Sequence, residues 1–338
     1  MHRALIVGLA DTSLRPEEGR FLKEVCPAGL ILFARNVEAP DQLRKLISDA
    51  REAIGSPDCL VAIDHEGGRV QRLRSPHWTE FPAAARYGEL FATNAKKATR
   101  ALALATRLCA AELRDLGINT NCAPCLDLPV EGAHDVIGDR AYGRELPLVV
   151  DLGRIVAKTY MEAGVLPVIK HMPGHGRAKV DSHKALPIVE TEIDELVTTD
   201  FAPFRALRDL PAAMTAHVVY TSVDSTMPAT TSERVIGSIV RDAIGFDNLL
   251  LTDDLSMSAL RGDVGERALA ARTAGCDLVL HCDGNLYEMK AVADQAGNLS
   301  GRSLERFLAA CAIVRKDVCP PDIDELRAQV SEFLEELR

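Results

Sequence analysis

"ALIVGLADTSLRPEEG", residues 4–19, opens as a short apolar, β-branched-rich run and then turns polar. The run reads as a strand buried on both faces. In a doubly wound open sheet the turn after the first strand carries a Gly-rich phosphate fingerprint, and "VGLADTSLRPEEG" (7–19) has none. Seven more apolar runs follow: "GLILF" (29–33), "LVAID" (60–64), "INTNCA" (118–123), "LPVIK" (166–170), "AAMTA" (212–216), "NLLLT" (248–252) and "CDLVLH" (276–281). Amphipathic stretches lie between them, such as "APDQLRKLISDAREAI", "TNAKKATRALALATRLCAAELRDLG", "VVDLGRIVAKTYMEAG", "TSERVIGSIVRDAIG" and "ERALAARTAG". Ser232 is placed to cap a helix, and Gly117, Gly164, Gly245 and Gly275 stand where helices should stop. Eight strands alternating with helices predict an α/β protein folded as a (β/α)8 TIM-type barrel.

The bulk numbers fit that reading. The chain has 338 residues, 47% hydrophobic and 26% charged, and a net charge of −10 from 49 acidic and 39 basic residues. This balance argues against nucleic acid or an anionic membrane surface as the main partner. No apolar run is long enough to span a bilayer, and the N-terminus lacks a signal-peptide pattern. Nine scattered cysteines do not form a disulfide framework, so a cytoplasmic location with reduced thiols is expected. Cys122 and Cys125 have half-zinc spacing but no second pair to complete a site, which favours buried strand residues. No linker divides the chain, which predicts one catalytic domain over 1–338 with a terminal helix at about 322–338. The sequence carries no reading of oligomeric state.

Polar residues cluster behind the predicted strands. "DHEGGRVQRLR" follows strand 3, "PCLDLPVEGAHDVIGDRAYGRE" strand 4, "KHMPGHGRAKVDSH" (170–183) strand 5, His217 strand 6 and "DDLSM" strand 7, while His281 ends strand 8. In a barrel these ends converge on the C-terminal face, where active sites of this fold are built. The long loops after strands 3, 4 and 5 are functional candidates. The Gly67–Gly68 pair would make the turn that lets Asp64 and the arginines reach the pocket.

The loop after strand 5 admits three readings. His171 and His175 have the i, i+4 spacing of a helical zinc pair, but Pro173 and Gly174 between them break a helix. Gly-rich backbone with Lys170 and Arg177 could cradle an anion, though no P-loop pattern is present. The third reading puts Lys170 and His171 at the strand end and makes the rest an excursion that delivers Asp181 and His183, the carboxylate orienting the imidazole. In isolation, D-x-H favours the plainer reading, in which Asp181 caps a turn and His183 is solvated; its position behind strand 5 is what argues for the catalytic one.

"IDHEGGRVQRL", "KHMPGHGRAKVDSH" and "TDDLSM" resemble the family 3 glycoside hydrolases, specifically the bacterial β-N-acetylhexosaminidases of cell-wall recycling. "GLILFARN", "CAPCLDL" and "AGCDLVL" extend the resemblance over nearly the whole chain. It implies the barrel independently of the strand count. It implies Asp253 as nucleophile, His183 as general acid/base and Asp181 as its assistant, with Asp64, Arg72, Arg140, Lys170 and His171 holding the sugar. It implies no metal and no cofactor, and a small carbohydrate, a GlcNAc-containing muropeptide, as substrate. His65, Met172 and Thr252 depart from the usual glutamine, phenylalanine and serine.

Residue chemistry alone leaves Asp253 and Asp254 even, because consecutive strand residues point in different directions. Arg72 and Arg140 read equally well as sugar ligands and as structural ion-pair partners. Glu66 reads as a residue that orients a neighbour, and His217 and His281 as pocket lining. The expected activity is retaining removal of non-reducing terminal GlcNAc through a glycosyl-enzyme. A β-N-acetylglucosaminide phosphorylase, a β-glucosidase and a non-catalytic sugar-binding barrel are the alternatives.

Overall fold

A computed structural model describes residues 2–182 and 185–337. The strands are β1 (Arg3–Gly8), β2 (Pro27–Leu32), β3 (Leu60–Ile63), β4 (Thr120–Asn121), β5 (Leu166–Pro167 and Ile169–Met172), β6 (Ala212–Thr215), β7 (Leu249–Asp254) and β8 (Leu278–His281). All pair in parallel, β4–β3–β2–β1–β8–β7–β6, with the first piece of β5 on β4 and the second on β6. Only Val168 separates the two pieces, so the sheet closes on itself as a TIM-type barrel. The seam is sealed where Leu126 N–H donates to Lys170 O at 2.8 Å and Lys170 N–H to Pro124 O at 3.2 Å.

The eight apolar runs become eight strands because both faces of each are buried. Ile6, Leu60, Ala62, Leu249, Leu251, Leu278 and Leu280 fill the barrel interior, and Phe307 closes it. Leu5, Val7, Leu30, Val61, Ile63, Leu250 and Val279 face the helix layer instead. Each such side chain contributes about 1.5–3 kcal/mol when fully buried. The fourth run pairs over only two residues, and its asparagines explain why. Asn119 Oδ1 accepts Val61 N–H at 2.7 Å while its Nδ2 donates to Cys59 O at 3.1 Å. Asn121 bonds the main chain of His65 in the same two-sided way. Side-chain amides here replace backbone rungs.

The helices are α1 (Pro16–Val25), α2 (Pro40–Ile54), α3 (Ala84–Thr93), α4 (Ala95–Asp115), α5 (Leu146–Glu162), α6 (Ile193–Thr198), α7 (Ala202–Ala206), α8 (Val264–Ala274), α9 (Leu286–Ala296), α10 (Gly301–Val314) and α11 (Ile323–Leu337). The connection after β6 is a π-helical segment, Val235–Ala243. Ser232 caps it, its Oγ accepting Val235 N–H at 3.1 Å. In α2, Pro40 occupies the first turn, and Leu43, Leu46, Ile47, Ala50 and Ile54 form the buried stripe. The terminal helix α11 packs on α4. All nine cysteines are free thiols: seven are buried, Cys26 is half-buried and Cys319 is exposed. Among the described residues, no helix is long and apolar enough to cross a membrane.

Candidate active site

Alternation along the strands builds the site. Leu60 and Ala62 face the barrel axis, so Asp64 does too; Val168 places Lys170 there, and Leu249 with Leu251 places Asp253 there. Strands 3, 5 and 7 therefore cap the apolar interior with one polar layer, as alternate strands do in this fold. After Asp64 the chain forms a small hairpin, His65–Gly67 against Val70–Gln71. Gly67 and Gly68 turn it at φ +98 and +55, conformations that favour glycine.

Lys170 lies at the centre of this layer and is 2% exposed. Its Nζ donates to Asp64 Oδ1 at 2.7 Å and lies 2.7 Å from Glu66 Oε1. Burial would discharge the ammonium, but Asp64 and Glu66 outweigh it and raise its pKa, so Lys170 is a permanent cation. Arg72 meets Asp64 Oδ2 at 3.2 Å, and Arg140 grips Glu66 bidentately at 2.8 and 2.9 Å. Burial would raise the Glu66 carboxyl, yet Arg140 and Lys170 hold it at about 2. Asp64 is likewise held well below the carboxylate range by Lys170 and Arg72 against its burial. Arg72 and Arg140 are thus both ion-pair partners and members of the cluster. Glu66 is the carboxylate shared by two of its cations.

Asp127 joins the β4 loop to the β5 loop, and it is fully buried. Its carboxylate accepts His175 N–H at 2.6 Å and His171 N–H at 3.2 Å, and lies 2.6 Å from His171 Nδ1. That pins His171, whose Nε2 faces Arg140 at 3.4 Å. Sequence reasoning gave Asp127 no role; the available signal was a carboxylate between two leucines in "CLDL". Cys125, Asp127 and His171 bring ligand atoms close together. Most of Asp127's lone pairs are already taken by these N–H groups. Burial pushes the Cys122 and Cys125 thiols well above their ordinary range, which suits strand residues and not thiolate ligands.

The His171–His175 interval is not helical, so the helical-pair geometry is absent. Gly176 lies against Leu128 O, where an added Cβ would sit 1.9 Å from that oxygen. Arg177 is occupied by Asp200 at 2.6 Å and Glu195 at 2.8 Å, which leaves the anion-cradle reading without its arginine. His175 Nε2 lies 3.4 Å from Ser182 Oγ. Asp181 is half-buried, and its carbonyl accepts Ala185 N–H at 3.0 Å. His183 lies outside the described residues.

The two aspartates of "TDDL" part company. Asp254 accepts Ser256 N–H at 3.0 Å and Cys282 N–H at 3.1 Å, which fixes it in the β7–β8 framework. Asp253 is half-buried, and its Oδ1 accepts Asp254 N–H at 2.8 Å. Burial disfavours its charge, but His217, His171, that N–H and Lys170 together hold its pKa below the ordinary value. His217 stands behind this pair, Nε2 donating to Asp254 O at 2.9 Å and Nδ1 2.7 Å from Thr230 Oγ1. His281 is not in the pocket: it shares the outward face of Val279 and meets Asp283 and Glu288.

Residues 6–312 match the glycosyl hydrolase family 3 N-terminal domain. The chain belongs to glycosyl hydrolase family 3. A beta-hexosaminidase from Methylobacillus flagellatus is 38% identical over 307 residues, covering 90% of this chain and 87% of that protein. Among solved structures, NagZ from Neisseria gonorrhoeae in complex with N-trifluoroacetyl-D-glucosamine is 32% identical with a TM-score of 0.82, covering 98% of each chain. A family 3 beta-N-acetylglucosaminidase from Paenibacillus sp. has a TM-score of 0.85 at 32% identity, covering 98% of this chain and 67% of that one. The chain is accordingly a glycoside hydrolase, and the barrel mouth is its candidate active site. Family membership does not assign the individual side chains.

Proposed function

We propose that this glycoside hydrolase is a retaining β-N-acetylglucosaminidase that removes non-reducing terminal GlcNAc from peptidoglycan-derived muropeptides in the cytoplasm, using one catalytic domain over residues 1–338. The observation that carries the reading is Asp253: a carboxylate on the barrel axis, kept anionic by Lys170, His171 and His217, while its neighbour is tied into the framework. Relatives named beta-hexosaminidase and the GlcNAc-derivative complex of NagZ support the sugar class.

In the proposed cycle Asp253 attacks the anomeric carbon as the bond to the leaving oxygen breaks. That oxygen takes a proton from His183, with Asp181 favouring the imidazolium. Water then attacks the same carbon, its proton passes to His183, and Asp253 is released. A second carboxylate beside the nucleophile would raise its pKa, whereas an imidazole does not. Asp64, Arg72, Arg140, Lys170 and His171 are assigned to the sugar.

The test compares hydrolysis of p-nitrophenyl β-GlcNAc with the β-glucoside and β-xyloside, with and without phosphate and chelator. We expect GlcNAc to be strongly preferred and released as the free sugar, with chelator making no difference. Equal rates on the glucoside would replace the substrate assignment, and sugar 1-phosphate as product would make the enzyme a phosphorylase.

A further inference from the structure

His281 ends β8 on its outward face, fully buried between the barrel and the helix layer. Neither ring nitrogen makes a hydrogen bond of acceptable geometry. A buried imidazole without partners is costly. Its Nε2 nonetheless approaches two carboxylates, 2.8 Å from Asp283 Oδ1 and 3.6 Å from Glu288 Oε2. The three atoms lie within 4.8 Å of one another. Ligands bound at about 2.0–2.2 Å to one ion stand about 3–3.5 Å apart, a spacing that the 2.8 and 3.6 Å separations bracket.

The surroundings leave room for that cation's charge. Arg267, the nearby cation, directs its guanidinium to main-chain oxygens, those of Leu255 at 2.7 Å and Gly262 at 3.0 Å. Asp283 and Glu288 approach the same ring nitrogen, and a cation between them would relieve the repulsion of the two carboxylates. The ligands are also presented by rigid structure. Asn285 Oδ1 caps α9 by accepting Tyr287 N–H at 3.0 Å, and Glu288 lies in that first turn. Asp283 and Glu288 are partly exposed, so solvent can enter and complete the coordination.

We propose that His281 Nε2, Asp283 and Glu288 form a binding site for a divalent transition-metal cation of the zinc class, one that staples the end of β8 to α9. One imidazole with two carboxylates is a ligand set that suits such ions. The staple borders Cys282, whose N–H holds Asp254, so it steadies the framework of the mouth without touching substrate.

The test uses the full chain with thiols kept reduced. Zn2+ titration by calorimetry is compared between the wild type and the double variant D283N/E288Q, whose changes lie at the surface. We expect the variant to lose one equivalent, and zinc to raise the wild-type Tm by a few degrees but not the variant's. Identical isotherms for the two proteins, or no binding to the wild type, would overturn the site. If the variant does not fold, histidine-ring NMR of the wild type decides: the His281 Nε2 resonance shifts on adding one equivalent of zinc if it is a ligand, and an unmoved resonance rejects the proposal.

Discussion

At the scale of single residues, Asp253 and Asp254 carry the same functional group one peptide apart, and the pleat gives them different surroundings. One faces the axis with Leu249 and Leu251; the other accepts the Ser256 and Cys282 amides. Asp253→Ala should therefore abolish nearly all turnover while thermal stability and ligand binding persist. A 2-fluoro glycosyl donor should label the wild type on Asp253. Label found on Asp254 would reverse the assignment, and no label at all would favour participation by the substrate's own acetamido group. Asp254→Ala should instead lower the Tm, because it strands two amides.

At the scale of elements, the β5 loop carries Asp181 and His183, the residues to which we assign the acid/base step. His183→Ala should slow substrates with poor leaving groups by about 10²–10⁴-fold, since these need protonation. Activated aryl glycosides should keep their first step and show slow breakdown of the glycosyl-enzyme. Uniform loss across leaving groups would deny His183 that role. The same loop contains His175, whose pKa burial and the neighbouring His171 lower from 6.5 to about 4. Its folded value is below its unfolded one, so the native state binds fewer protons. Its contribution is complete above pH 6.5 and is lost as pH falls through about 4, by up to about 1.4 kcal/mol per pH unit. Unfolding free energies measured from pH 7 to 4 should fall less steeply for His175→Gln than for the wild type; parallel curves would show that His175 titrates normally.

Which elements the sequence revealed follows from the same physics. Most of the strands could be read because they are buried on two sides and so largely apolar along their length. The extent of β4 could not, because Asn119 and Asn121 substitute side-chain amides for a ladder that periodicity assumes. Lys170, Asp64, Arg72, Arg140 and His171 were visible as ionisable residues behind strands. Asp127 was not, since its function appears only when the β5 loop lays two histidine amides across it, forty-four and forty-eight positions away. His281 was misplaced because a strand-end position fixes height in the barrel but not which face the ring takes.

At the scale of the whole molecule, α11 returns to the barrel wall and completes a buried charge. Glu112 on α4, 3% exposed at its side chain, accepts Thr79 Oγ1–H at 2.7 Å and Arg327 from α11 at 2.9 Å. Arg327→Ala should cost about 1–3 kcal/mol in chemical denaturation by leaving that carboxylate underpaired, with kcat and KM unchanged. A change in kinetics without a change in stability would mean the helix reaches the mouth. The distribution of thiols has a different consequence. Cys59, Cys109, Cys122, Cys125, Cys276, Cys282 and Cys311 are sealed beside β3, in α4, beside β4, at the two ends of β8 and in α10, while Cys26 is half-buried and Cys319 stands in solvent. A pulse of thiol reagent would tag Cys319 at once and each of the sealed thiols only when its neighbourhood opens. The native chain thus carries its own clocks, on the β3–β4 side, at β8 and on α10, to record the order in which these parts of the enzyme come apart.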